Sequence, residues 1–168
     1  MKKYLIFFFL FLFLFLNQGW AVLKKNDIAP DFSLTGTDGK ILYLSQIKCK
    51  VTLIEFISKK CFACDMVIPD INKLYEKYRN KNVQIIGVLF NDEVEDILKL
   101  KEFIVSREIK FPVFIADVKV KKNYSVFGFP NFFILNEKKQ ITQIYRGITK
   151  DTFGLLNKEI EKILNERQ

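Results

Sequence analysis

The sequence predicts a single α/β domain with a central mixed sheet covered by helices on both faces. Two nearly continuous apolar runs, Val51 to Ile57 (VTLIEFI) and Val83 to Phe90 (VQIIGVLF), read as strands buried on both sides. Between them Ile68, Ile71, Leu74, Tyr75 and Tyr78 recur at helical spacing. Strand and helix patterns then alternate to the C-terminus, the order that builds layered α/β domains. At 168 residues and 49% hydrophobic content, the chain has enough apolar material for one core.

The N-terminus is a separate matter. Met1-Lys2-Lys3 is a cationic start, and Leu5 to Leu16 (LIFFFLFLFLFL) is an uninterrupted apolar run. Asn17-Gln18-Gly19-Trp20-Ala21 then turns polar and places small residues where a cut after Ala21 needs them. The run has the length of a secretory signal core and falls short of a bilayer span. Residues 1–21 therefore read as a signal peptide, with an uncleaved N-terminal anchor as the alternative, and residues 22–168 as the folded domain. Either reading exports the domain to an oxidising compartment, a bacterial periplasm or its equivalent. No cysteine follows the run in a position for lipid attachment.

Within the domain, Phe32-Ser33-Leu34 and Ile41 to Leu44 flank Thr37-Asp38-Gly39-Lys40, so a β-hairpin is expected. The strand over 51–57 follows, carrying one charge, Glu55. A helix over Phe62 to Tyr78 comes next, kinked by Pro69 for want of an amide donor. After the strand over 83–90, Asp92 and Glu95 offer a capping box for a helix bearing Val94, Ile97, Leu98, Phe103 and Ile104. A third strand is expected over Phe111 to Ala116, and a short helix with a basic face over Lys119 to Val126. Phe132 to Leu135 and Ile141 to Tyr145 make a second hairpin, and Thr152 to Leu164 a closing amphipathic helix.

Composition removes many functions. The 27 basic residues exceed the 19 acidic ones, for a formal charge of +8, but the lysines are spread out and no aromatic–basic stripe suited to nucleic acid appears. The absence of histidine excludes Ser-His and Cys-His catalysis, imidazole metal sites and haem attachment at a Cys-x-x-Cys-His motif. Three cysteines are too few for a disulfide scaffold.

Cys61-Phe62-Ala63-Cys64 falls at the junction of a buried strand and a helix. The first cysteine can then sit at a helix N-terminus, where unpaired amides and the dipole favour a thiolate, and the second lies about one turn later. Lys59 and Lys60 add positive potential before Cys61, while Asp65 opposes it; the net expectation is a lowered pKa for Cys61. A lone CxxC leaves structural zinc and an inert disulfide open. Zinc needs more ligands, and only Cys49 remains to supply one. A buried strand, a CxxC, a helix and a late proline agree in favouring redox work.

The stretch LIEFISKKCFACDMVIPDINKLYEKY resembles the strand–CxxC–helix core of the thioredoxin superfamily, with Pro69 five residues after Cys64. FSLTGTDGKILYLSQI is similar to the N-terminal hairpin of the extracytoplasmic TlpA/ResA-like branch, the segment from Asp92 to Ala116 to that branch's helix–strand insertion, and GFPNFFIL to its cis-proline loop. The resemblance spans roughly residues 27–165. It implies a thioredoxin fold, a central mixed β-sheet flanked by helices with an N-terminal β-hairpin and a helix–strand insertion, and it implies thiol–disulfide oxidoreductase activity. Cys61 matches the attacking cysteine, Cys64 the resolving one, and Pro130 the cis-proline, which leaves the Phe129 backbone free to pair with an extended substrate. Glu55 matches the buried acid of thioredoxins, whose raised pKa suits it to take a proton from Cys64; the other reading is a strand-end glutamate reaching solvent. Phe62 and Phe129 are the aromatics expected to touch a partner. No cofactor and no metal are implied.

The sequence departs from the family at three places: Lys59-Lys60 replaces the tryptophan before the first cysteine, Val67 replaces an acid common in the branch, and Asn131 replaces a threonine after the cis-proline. The partners implied are exported cysteine-containing proteins, with the chain acting as their reductant, in cytochrome c maturation or elsewhere, and a membrane thiol carrier recharging it. Two alternatives stay open. A peroxiredoxin-type thiol peroxidase would use Ser58 as the hydroxyl before Cys61, but Ile54 stands where that motif has proline. A copper-binding or chaperone module would use Cys61 and Cys64 as soft ligands, without histidine to complete the set. Cys49 reads as a bystander thiol, or as one that pairs with another chain.

Overall fold

The computed structural model describes residues 22–94 and 96–166. The signal peptide or anchor expected over residues 1–21 lies outside the described residues. Strands β1 (Ser33–Thr35) and β2 (Ile41–Tyr43) form the expected hairpin, closed by Gly39, whose φ of 79° suits a residue without Cβ. Next come β3 (Val51–Phe56), α1 (Phe62–Tyr78), β4 (Val83–Phe90), α2 (Ile97–Ser106), β5 (Val113–Ala116) and α3 (Val118–Asn123). The chain finishes with β6 (Asn131–Asn136), β7 (Ile141–Arg146) and α4 (Thr152–Asn165). All seven strands join one sheet in the order β2-β1-β5-β4-β3-β6-β7. β3 pairs parallel with β4, and β4 with β5, while β6, β7 and the hairpin pair antiparallel, so the sheet is mixed.

β3 and β4 sit at the centre because their side chains suit two dry faces. Every residue of β3 is buried. Val51, Leu53 and Ile57 point to one face, where Ile68, Ile71 and Leu74 of α1 and Leu156 and Ile160 of α4 cover them. Ile54 and Phe56 point to the other, into a cluster with Phe90, Tyr124 and Phe133. Phe133 meets Phe56 edge-on at 5.6 Å and Tyr124 at 5.1 Å, the geometry aromatic quadrupoles prefer. The Tyr124 hydroxyl donates to the Pro30 carbonyl at 2.7 Å, tying the N-terminal lead-in to this second core. No helix among the described residues is long and apolar enough to cross a membrane.

Three element readings need correction. The helix expected from a cap at Asp92 begins at Ile97, capped by Asp96, whose carboxylate accepts from the Lys99 amide at 2.9 Å. Asp92 lies in a turn in which the Glu93 and Val94 amides both donate back to the Phe90 carbonyl, and Val94 is a buried anchor outside the helix. Glu95 lies outside the described residues. The third strand starts at Val113 because Pro112 has no amide to give; its carbonyl accepts from Gly87 at 2.9 Å. The short basic helix runs over Val118–Asn123, one residue earlier at its start and three at its end than expected, and its apolar tail at Tyr124 and Val126 turns inward to the core outside the helix.

Candidate active site

Extension of β3 brings the chain to the C-terminal edge of the sheet, where Ile57 still pairs with the Val88 carbonyl at 3.0 Å. After a turn at Ser58–Lys60, Cys61 stands at the N-cap of α1 in extended conformation (φ −105°, ψ 97°). Its sulfur occupies the place a capping oxygen usually takes, accepting from the Cys64 amide at 3.0 Å. Its carbonyl accepts from Cys64 and Asp65. Cys61 and Cys64 are joined in a disulfide with Cα atoms 5.2 Å apart. Cys61 is half-buried, whereas Cys64 is 1% exposed. One sulfur can be reached; the other is sealed beneath it. Donors at a helix N-terminus stabilise negative charge, so this arrangement favours a thiolate on Cys61 once the bond is reduced.

Glu55 is fully buried, on the face of β3 that carries Val51, Leu53 and Ile57 and is roofed by α1, the helix that begins at this pair. Its register neighbours are Gly87 and Phe132, and neither carboxyl oxygen finds a hydrogen-bond partner in the protein. Burial pushes its pKa up to about 8, so at neutral pH the group holds its proton. The strand-end reading, in which this side chain reaches solvent, is therefore set aside.

The peptide between Phe129 and Pro130 is cis, and Pro130 is buried. β6 begins at the next residue, Asn131, opposite Phe56, so this loop lies beside the strand end that leads to Cys61. Asn131 holds the loop from within by donating from its side-chain amide to the Gly128 carbonyl. Phe129 is half-buried, with the Lys121 ammonium 5.5 Å above its ring. Phe62, 79% exposed, stands out next to Cys61.

Lys59 is held by its main chain: its amide donates to Glu93 at 2.8 Å and its carbonyl accepts from Arg107 at 2.9 Å. Lys60 is exposed. Arg107 also donates to Asp65 at 2.6 Å. Sequence reading missed Glu93 and Arg107, which lie 34 and 48 residues from Lys59, and no local pattern marks them. It missed Phe127 as well, 86% exposed beside the cis-proline loop; its position two residues before Phe129 was the available signal. Cys49 lies at the opposite, N-terminal end of β3, half-buried, its thiol donating to the Val51 carbonyl at 3.0 Å, so it takes no part in this constellation. Ser58 is buried and its hydroxyl accepts from the Lys60 amide at 3.3 Å, while Ile54 faces the opposite core. Among the described residues no group of three or more Cys, Asp or Glu side chains is placed to hold a metal ion.

Comparison with known proteins agrees with this geometry. The model of the AhpC/TSA family matches residues 26–144. The thiol-disulfide oxidoreductase ResA of Bacillus thuringiensis subsp. konkukian is 31% identical over 136 residues, covering 80% of this chain and 76% of that protein. The thioredoxin-like protein YneN of Bacillus subtilis is 27% identical over 143 residues, covering 85% and 80%. Among solved structures, one from Chlorobium tepidum, provisionally assigned as the thiol:disulfide interchange protein DsbE, superposes with a TM-score of 0.75 at 26% identity, covering 85% of this chain and 99% of that one. The thioredoxin domain of a thiol-disulfide oxidoreductase from Bacteroides vulgatus, at 20% identity and a TM-score of 0.72, shares the fold.

Proposed function

We propose, from the premise that the chain belongs to the AhpC/TSA family and is a thioredoxin-like thiol–disulfide oxidoreductase, that it acts as a reductant of exported cysteine-containing proteins. The observation that carries this reading is the asymmetry of the pair: a half-buried sulfur at a helix N-cap joined to a fully buried one. In the reduced protein the Cys61 thiolate attacks one sulfur of a partner disulfide. A new S–S bond forms, the partner's bond breaks, and its other sulfur leaves as a thiolate. Cys64 then loses its proton and attacks the Cys61 sulfur, closing the intramolecular disulfide and releasing the second partner thiolate. Two electrons pass to the partner, and the enzyme is left in the disulfide form.

Glu55, buried on the face of β3 that α1 covers, is the group we assign to take the Cys64 proton, directly or through one water. With a pKa near 8 the carboxyl is ionised in only a minority of molecules at neutral pH, and that fraction is the one able to accept the Cys64 proton, so this step should quicken as pH rises toward 8. The Phe129 backbone beside Pro130, together with the exposed Phe62 ring, is the assigned seat for the partner chain, and Lys59 and Lys60 are assigned to raise the local potential. Delivery by the N-terminal segment puts this chemistry outside the cytoplasm, where a membrane thiol carrier returns the pair to the dithiol form. The peroxidase reading lacks its motif proline, since Ile54 stands there, packed in the core on the face of the sheet away from the cysteine pair.

Trapping tests the proposal. Cys64→Ser should accumulate a mixed disulfide through Cys61 with a disulfide-containing protein, and Cys61→Ser should form none. The Cys61–Cys64 potential, titrated against dithiothreitol, should lie near thioredoxin's at about −270 mV; a value near −120 mV would reverse the direction. Consumption of peroxide at rates matching disulfide reduction would replace the reading with the peroxidase one.

A further inference from the structure

We infer that Arg107 is a positioning residue for the thiol chemistry, neutralising Asp65 and gripping the peptide ahead of Cys61, so that the segment between β4 and β5 governs how readily Cys61 ionises. This deepens the proposal above and rests on Cys61 being the attacking sulfur.

Asp65 is the acid in the first turn of α1 and follows Cys64 directly. A carboxylate there is welcome to the helix dipole, but it competes with a negative sulfur at the N-cap for the same positive end. Left alone, it would raise the cost of a thiolate on Cys61. Arg107 prevents this. Its Nε donates to Asp65 at 2.6 Å, and a terminal nitrogen of the same guanidinium donates to the Lys59 carbonyl at 2.9 Å. The guanidinium lies 4.5 Å from the centre of the buried Phe103 ring, which fixes its plane. With 25% of its side chain exposed, against 42% for Asp65, Arg107 is the better shielded member of the pair.

The second link is mechanical. The Lys59 amide is held by Glu93 from the turn after β4, and the Lys59 carbonyl by Arg107 from the end of α2. Both peptide groups flanking Lys59 are thus tied to one inserted segment, two residues ahead of the sulfur. The charged and titratable groups around Cys61 are Lys59, Lys60 and Asp65 on its own stretch, Arg107 and Glu93 from the insertion, Lys121 over Phe129, and the buried Glu55. Arg107 joins the opposing charge to the loop with one planar group, which a lysine's single nitrogen could not reproduce.

The test is the pH dependence of Cys61 alkylation by iodoacetamide in the reduced protein, with the labelled site identified by peptide mapping. Arg107→Ala should move the midpoint upward and slow alkylation at pH 7 about threefold, the size expected for one charge at a partly exposed helix end. Asp65→Asn should move the midpoint downward. In the Asp65→Asn background, Arg107→Ala should lose most of its effect, and Arg107→Lys should keep part of the charge effect in the wild-type background. An unchanged midpoint in Arg107→Ala, or an equal shift with and without Asp65, overturns the inference. Should Arg107→Ala not fold, Arg107→Gln, which keeps a planar hydrogen-bonding group without the charge, takes its place, and an unchanged midpoint overturns the inference. First labelling at Cys64 would instead overturn the assignment of the attacking sulfur.

Discussion

Replacing Glu55 by glutamine removes a buried ionisable group while keeping its volume, and the consequence can be worked out with its sign. The unfolded carboxyl titrates at 4.5, whereas in the folded protein burial raises its pKa to about 8. Between these two values the folded state holds a proton that the unfolded state has released. The stability present below pH 4.5 is therefore lost as pH rises, by about 1.4 kcal/mol per pH unit, until the folded carboxyl also ionises. Over the whole window that is on the order of 5 kcal/mol, and about 3 kcal/mol of it is gone by pH 7. The group is fully buried, so solvent screening calls for no discount. Glu55→Gln cannot titrate. Urea unfolding of both proteins with the disulfide intact, from pH 5 to 8.5, should show the variant gaining steadily on the wild type as pH rises. A difference between the two that stays constant across that range would refute the reasoning, because the carboxyl would then be ionised in both states. The same substitution should slow release of the mixed disulfide by Cys64, and should flatten the pH dependence of that step.

Two further outcomes follow from the packing. Tyr124→Phe keeps the ring among Phe32, Phe56 and Phe133 but leaves the Pro30 carbonyl without its 2.7 Å donor, so unfolding should become easier by about 1–2 kcal/mol with the redox potential unchanged. Phe127→Ser removes an 86% exposed ring beside the cis-proline loop, so stability should stay within about 0.5 kcal/mol of wild type while KM for a protein disulfide rises several-fold. Turnover of a small disulfide such as oxidised dithiothreitol should not change, and an equal loss on both substrates would remove Phe127 from the docking surface.

The central elements were legible because local patterns alone determine them. Val51 to Ile57 and Val83 to Phe90 could be read as strands because each apolar run is short for a helix and rich in β-branched residues, which suits a strand with two dry faces. The helix over Phe62–Tyr78 was legible through its periodicity, and Pro69 did not obscure it. The start of α2 was not legible, since two aspartates four residues apart both offer capping oxygens. What chose between them is tertiary: Val94 is drawn into the core and Asp92 turns toward Lys121 at 3.9 Å, leaving Asp96 to cap.

The same division runs through the site. Cys61, Cys64 and Glu55 lie within ten residues along one strand and one helix turn, so spacing alone places them at one sheet end. Asp65 is part of that local pattern too, and taken locally it counts against a reactive Cys61. Its partner lies 42 residues away on the inserted helix, where nothing in the sequence marks Arg107 apart from the other basic residues. Lys59 shows the converse. Its charge is what sequence reading valued, yet the contacts that hold it run through its backbone amide and carbonyl, which any residue would supply. Local sequence thus identifies the atoms proposed to react. The electrostatic setting of those atoms is completed by long-range contacts, and a reading confined to the CxxC and its neighbours leaves out the guanidinium that pairs with Asp65.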